Sequence, residues 1–242
     1  MRIKENISSV VTEADLATEK VILEILDRAP APCNLLTEES GYTDRGSEFT
    51  WVVDPLDGTS NFAAGLPWFG IIITLFQGTE PLLGGMYLPL DNDLYYAEKG
   101  KGSWKNIEPL RRIDRGPLQD QLIAYSFDYN DDFGRTMAEM QVLARLASSV
   151  RNIRSTNSLY DFCCAVDGRL GAVINQATRI WDIAAPWLLF REAGGRVTDI
   201  RGKEIVFDLS TGAMDRNYTI LASGPGIHEK LAGIIQQKDT AS

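Results

Sequence analysis

Two aspartates three residues apart, Asp54 and Asp57, stand in the string Trp51-Val-Val-Asp-Pro-Leu-Asp-Gly-Thr-Ser-Asn-Phe62. The apolar run from Thr50 to Asp54 reads as a buried strand that delivers the first carboxylate at its end. Pro55 stiffens the turn that follows, so both acids can converge on one point. Oxygen ligands of this kind suit a hard cation such as Mg²⁺. Gly58 and Thr59 then open a short helix whose free N–H groups can meet a phosphate. No lysine or arginine lies between Asp54 and Phe76, so a bound phosphate must draw its positive potential from metal and backbone dipoles. The bland reading is an Asp-Pro-x-Asp-Gly turn, since each of these residues favours turns. The strand ahead of the string and its full length favour a site.

Three further acidic segments each have a comfortable structural reading of their own. Glu38 and Glu39 follow the strand-like Leu35-Leu36-Thr37 and can be a solvated loop pair. Thr12-Glu13-Ala14-Asp15 fits a capping box. Trp181-Asp182-Ile-Ala-Ala-Pro186 places an acid at a helix start, where it can act as a cap. Histidine chemistry has almost no material: the chain has one, His228, expected at the surface near the start of the last helix. Serine–histidine nucleophiles and multi-histidine metal sites thereby have almost nothing to build on. Carboxylates, hydroxyls, backbone groups and metals must carry the chemistry.

The elements that position these residues fit an α/β chain. The 242 residues are 44% hydrophobic and 24% charged, enough for a single domain over 1–242, with a metal- and phosphate-binding half (1–120) and a second half (121–242) that brings Asp182. Residues 13–28 read as a helix with Ala14, Ala17, Val21 and Ile25 along one stripe. Strands are expected at 68–76, 82–88, 122–127, 170–174 and 218–222. Helices are expected at 132–148, 156–166 and 182–193, the last one stopped by Gly194-Gly195. Hairpins early and alternation late suggest a layered α/β sandwich, not a simple doubly wound sheet. The net charge of −9 argues against a nucleic-acid surface. No stretch approaches the roughly 20 apolar residues of a membrane span, and the amino terminus has no apolar signal core, so a cytoplasmic location is expected. Cys33, Cys163 and Cys164 read as reduced and mostly buried.

Taken together, these strings resemble the inositol monophosphatase family, within the lithium-sensitive, metal-dependent phosphomonoesterases. The resemblance runs from about Val10 to Gly195, and Asp-Pro-Leu-Asp-Gly-Thr-Ser-Asn-Phe and Trp-Asp-Ile-Ala-Ala are its specific parts. It implies the α-β-α-β-α sandwich shared with fructose-1,6-bisphosphatase, a homodimer, a small phosphorylated metabolite as partner, and neither nucleic acid nor membrane. It also implies two Mg²⁺ ions. Glu38, Asp54 and the carbonyl of Leu56 would hold the first. Asp54, Asp57 and Asp182 would hold the second, and Glu38 would help a weaker third through water. Thr59, hydrogen-bonded to Asp15, would orient and help deprotonate the attacking water, and the amides of Gly58 and Thr59 would grip the phosphate. Asn157, Ser158 and Asn175 would face the substrate.

The pattern departs from the family in three places. Only about a dozen residues precede Asp15, where relatives carry a complete long helix. Asn175 stands where inositol-specific members place a glutamate, which opens the substrate to other polyol, sugar or nucleotide phosphates, among them 3′-phosphoadenosine 5′-phosphate, fructose 1,6-bisphosphate and histidinol phosphate. Pro186 replaces a common glycine and is expected in the first turn of its helix. Two rival phosphatase patterns fail on context. Cys163-x5-Arg169 lies in apparent helix with Asp167 inside it, and Asp91-Asn92-Asp93 sits in a hairpin. A non-catalytic regulatory protein on the same fold is the reading from another class, with Trp68-Phe69 as its candidate contact; buried strand packing is the plainer account of that pair.

Overall fold

The structure, a computed structural model, describes residues 2–3, 10–110 and 116–237. A short pair, β1 (Arg2–Ile3) and β2 (Val10–Val11), precedes α1 (Glu13–Leu26). There follow β3 (Asn34–Thr37), β4 (Gly41–Thr43), β5 (Phe49–Asp57) and the short α2 (Thr59–Ala63). Then come β6 (Gly70–Gln77), β7 (Glu80–Leu88), β8 (Asp93–Glu98), β9 (Gly102–Lys105) and β10 (Glu108–Pro109). The second half comprises β11 (Leu122–Ser126), α3 (Phe133–Ala147), β12 (Asn152–Arg154), α4 (Leu159–Val166) and β13 (Ala172–Thr178). It ends with α5 (Ile180–Glu192), β14 (Arg196–Thr198), β15 (Tyr218–Ser223) and α6 (Pro225–Gln236).

The large sheet has the order β10-β9-β8-β7-β6-β5-β3-β4, and the smaller one β12-β11-β13-β15-β14. β3 and β5 run parallel, as do β12, β11 and β13, while the hairpin strands are antiparallel. α1 packs on β5 from outside. α4 and α5 lie between the sheets, α5 touching β5 to β9 on one side and β14 and β15 on the other. α3 and α6 cover the far face of the smaller sheet, where Leu146, Ile123, Ile174 and Leu231 form a second core. The layers therefore read α-β-α-β-α, as the resemblance implies. α5 is buried nearly all round, with Ile183, Ala184, Ala185, Leu189 and Phe190 inside, as a helix sandwiched between two sheets must be. Its seat on β7 depends on Gly84, where an added Cβ would lie 3.0 Å from the Ala185 Cα.

Several sequence expectations are corrected. The Ala17, Val21 and Ile25 stripe of α1 does not face the core: Val21 and Ile25 are more than half exposed, as is Leu16, and the buried residues of the helix are Asp15 and Glu19. α1 is anchored through carboxylates that satisfy backbone donors, which hydrophobic patterning cannot reveal. α5 begins at Ile180, so Pro186 sits in its second turn; there its ring offers no N–H to the carbonyl of Asp182, four residues back. The helix expected from 156 starts at Leu159, because Ser158 caps it and the residues before are extended. His228 is fully buried, bracketed by Ser223 Oγ (2.8 Å from Nδ1) and Thr198 Oγ1 (3.0 Å from Nε2). Burial pushes its pKa down to about 4, so the ring is neutral. Cys163 and Cys164 are buried in α4, and Trp68 and Phe69 are half-buried just before β6.

Candidate active site

The carboxyl ends of parallel strands from both sheets open on one cavity of about 460 Å³. β3 runs directly into Glu38, whose N–H donates to the Val53 carbonyl (3.1 Å) on the parallel neighbour β5. Residues three apart in a regular strand point to opposite faces. The β5–β6 register breaks between Asp54 and Asp57, and this irregularity turns both carboxylates to the same cavity. Asp54 is 2% exposed, and its Oδ1 accepts from the Leu56 N–H (3.0 Å), which closes the Pro55 turn. Asp182 comes from the first turn of α5 and lines the same cavity. Oxygen atoms of Asp54, Asp57 and Asp182 all lie within 4.8 Å of one another.

Three carboxylates so close and so buried cannot comfortably all be ionised. Burial, then the charges of Glu38, Asp57 and Asp182, push Asp54 well above the usual carboxylate range. Burial and the neighbouring acids do the same to Asp182, against the Arg179 N–H that holds its Oδ2 at 2.6 Å. Asp57 rises to about 7, chiefly through burial, even though the Leu159 N–H donates to its Oδ2. Such a cluster fits a cation, and its donors are all oxygen, the set preferred by a hard divalent ion. Glu38 shares a hydrogen bond with Asp54 and lines the same cavity. The Leu56 carbonyl lines it too, 2.9 Å from Thr59 Oγ1, whose single hydrogen can go either to it or to Asp15.

The turn after Asp57 is built on Gly58, at φ 83°, where a Cβ would lie 2.5 Å from the Trp68 carbonyl oxygen; no other residue fits. Thr59 Oγ1 lies 2.9 Å from Asp15 Oδ1. Asp15 is completely buried, and its other oxygen accepts from the Thr12 N–H (2.7 Å) and hydroxyl. Asp15 therefore forms the capping box with one oxygen and meets the Thr59 hydroxyl with the other. Asp182 repeats the pattern: one oxygen caps α5 through Arg179, while the carboxylate also belongs to the acidic trio.

Asn157, Ser158 and Asn175 line the cavity wall. The Ser158 hydroxyl accepts from the Tyr160 N–H (3.3 Å), and Asn175 Oδ1 accepts from the Ala177 N–H (2.9 Å). Asn157 is held at φ 54° and donates Nδ2 to Asp128 Oδ1 (2.9 Å). Sequence reasoning missed four residues. Asp128 follows the apolar strand β11 much as Asp54 ends its own apolar run, and that signal went unread. Asp161 accepts the N–H groups of Thr156 and Asn157, and Ser158-x-x-Asp161 is a readable capping string. Asn61 bridges the Trp68 and Thr156 carbonyls, and Arg179 is the one cation among the cavity-lining residues.

The inositol monophosphatase family profile matches residues 2–240. The chain is 30% identical over 233 residues to the inositol-1-monophosphatase of Caulobacter vibrioides, covering 94% of this chain and 88% of that one. It is 36% identical over 209 residues to the fructose-1,6-bisphosphatase/inositol-1-monophosphatase of Thermococcus kodakarensis, covering 85% and 76%. The crystal structure of the extragenic suppressor protein suhB from Bartonella henselae superposes with a TM-score of 0.86 at 30% identity, covering 96% and 87%. With its acidic trio, its Gly58 turn and these relatives, the chain belongs to the inositol monophosphatase family.

Proposed function

We propose that the protein is a Mg²⁺-dependent phosphatase that hydrolyses the phosphate monoester of a small polar metabolite. The observation that carries this reading is the convergence of Asp54, Asp57 and Asp182, with Glu38 beside them, at the foot of a cavity whose opposite wall is polar and uncharged in large part. Glu38, Asp54, Asp57, Asp182 and the Leu56 carbonyl would hold the ions. When bound, Mg²⁺ supplies the positive charge that stabilises the phosphoryl oxygens and makes an attacking water more acidic.

The chain's own residues do the rest. The backbone N–H groups of Gly58 and Thr59 orient the phosphate, a preorganised contact of the kind that commonly dominates catalysis. Thr59 Oγ1 takes a proton from the attacking water as its own proton passes to Asp15 Oδ1. The water oxygen forms the new P–O bond, the ester P–O bond breaks, and the departing alcohol is protonated from the solvent-filled cavity. The reading includes a homodimer and a free small-molecule substrate, with no nucleic acid as partner. It also includes a cytoplasmic location; no helix among the described residues is long and apolar enough to cross a membrane.

The test is phosphate release, with and without Mg²⁺, from inositol 1-phosphate, 3′-phosphoadenosine 5′-phosphate, fructose 1,6-bisphosphate, histidinol phosphate and glycerol 2-phosphate. Magnesium-dependent release with one clear favourite supports the reading and names the substrate. The Bartonella relative is named for extragenic suppression, not for hydrolysis, so a regulatory protein on this fold is the competing reading. Silence across the panel, in a folded protein that does not bind Mg²⁺, would favour it.

A further inference from the structure

The segment that carries Asn157 is tied at both ends to the metal-binding half of the cavity. Asn61 Nδ2, from α2, donates to the Thr156 carbonyl (2.8 Å), and the Leu159 N–H donates to Asp57 Oδ2. Between these ties Asn157 adopts φ 54°, a left-handed conformation uncommon for non-glycine residues and most readily taken by asparagine. Its N–H is held by Asp161 Oδ2 (3.3 Å), which also accepts from Thr156 (3.0 Å), and Asp161 is itself 1% exposed. In this conformation the Asn157 amide donates Nδ2–H to Asp128 Oδ1 (2.9 Å).

Asp128 lies two residues beyond the end of β11, whose Ser126 pairs with Asn175 on β13, so it stands beside the Asn175 wall of the cavity. It is open to solvent, and its Oδ2 makes no hydrogen bond among the described residues. It is outside the trio whose oxygens cluster within 4.8 Å, yet its charge is felt by both Asp57 and Asp182. A carboxylate oxygen only accepts hydrogen bonds, and a hydroxyl donor meets it in a short, charge-assisted bond. A second phosphate brought to the same place meets a like charge.

We propose that Asp128, positioned by Asn157, is the specificity-determining carboxylate of this cavity: its free oxygen accepts a hydroxyl of the alcohol that carries the phosphate, and its charge turns away alcohols bearing a second phosphate. The proposal rests on the phosphatase reading above. Two cations are near. Arg135 acts on Asp128 electrostatically but engages the Gln176 carbonyl through Nη2 (3.2 Å) and Glu139 through Nε (3.4 Å), and Arg179 gives Nη1 to the Asp215 carbonyl (2.7 Å); neither forms an ion pair with Asp128 among the described residues.

The experiment is steady-state kinetics of the Mg²⁺-loaded protein on inositol 1-phosphate, glycerol 2-phosphate, fructose 1,6-bisphosphate and p-nitrophenyl phosphate, for wild type, Asp128→Asn and Asn157→Gly. The glycine keeps the left-handed backbone and removes only the amide. Asp128→Asn should raise KM for the polyol monophosphates about tenfold or more, with little change in kcat, as expected for a lost charge-assisted bond. The ratio of kcat/KM for polyol monophosphate over p-nitrophenyl phosphate, which has no hydroxyl, should fall by the same factor, and the ratio over the bisphosphate further still. Asn157→Gly should move both ratios the same way by less. Equal losses on all four substrates, or none, would overturn the proposal. A wild type inert on all four with Mg²⁺ present would overturn the phosphatase reading first, and this assignment with it.

Discussion

At the scale of the residue, the site is a concentration of negative charge that the fold tolerates only by shifting protons. Replacing Asp57 or Asp182 by asparagine should abolish turnover while the circular dichroism spectrum and the cooperativity of melting stay those of the wild type; full activity in either variant would sink the assignment of the trio. The pH dependence has a definite sign. Asp57 titrates near 7 in the fold against an ordinary value of 3.8, so its ionised form is disfavoured by folding. The metal-free protein is therefore penalised increasingly as pH rises from about 4 through 7, and a divalent cation removes the penalty. Saturating Mg²⁺ should raise the melting temperature more at about pH 8 than at about pH 5.5, because the ligands must be deprotonated to bind. An equal shift at both values would contradict it. Asp54 and Asp57 were legible as a pair from their own string, whereas Asp182, whose local context reads as a helix cap, joined them only through the family resemblance. Asp128 was legible only as an acid after an apolar run; nothing in Phe127-Asp-Tyr-Asn130 says that a left-handed asparagine distant in sequence will fix it.

At the scale of the element, α5 is the joint between the sheets. Gly84→Val would push a branched side chain against the Ala185 backbone, with the Cβ already at 3.0 Å from Cα, and should cost about 1–3 kcal/mol, seen as a lower denaturant midpoint. α6 is joined to β14 and β15 through His228, lodged between Thr198 and Ser223. The ring titrates near 4 when folded and near 6.5 when free, so folding favours its neutral form. That contribution is complete above about pH 6.5 and is lost as pH falls toward 4. The stability advantage of wild type over His228→Gln should therefore be largest above pH 6.5 and shrink toward pH 4; a gap that does not change with pH would refute it. Periodicity and Gly194-Gly195 placed α5 to within two residues. They could not show that His228 is internal, since a histidine early in an amphipathic helix looks the same on either face until its partners are known.

At the scale of the whole molecule, early hairpins followed by strand–helix alternation suggested a layered sandwich, and the family resemblance supplied its five layers. What neither could convey is how unevenly the layers are fastened. The other four layers share apolar cores, whereas α1 lies on the outside with Leu16, Val21 and Ile25 open to water and with Asp15 and Glu19 as its buried residues. Glu19 holds the Ser40 N–H (3.1 Å) beyond Glu38, and Asp15 holds Thr59. The partner on which Thr59 depends is thus carried by the element with the least apolar purchase on the body. Elements of that kind open locally well below the global unfolding free energy. Amide hydrogens of α1 should exchange with deuterium long before those of α4 and α5, and turnover should vanish in mild urea while the sheets still give their full spectroscopic signal. The molecule would then have two thresholds, a lower one at which it stops working and a higher one at which it comes apart.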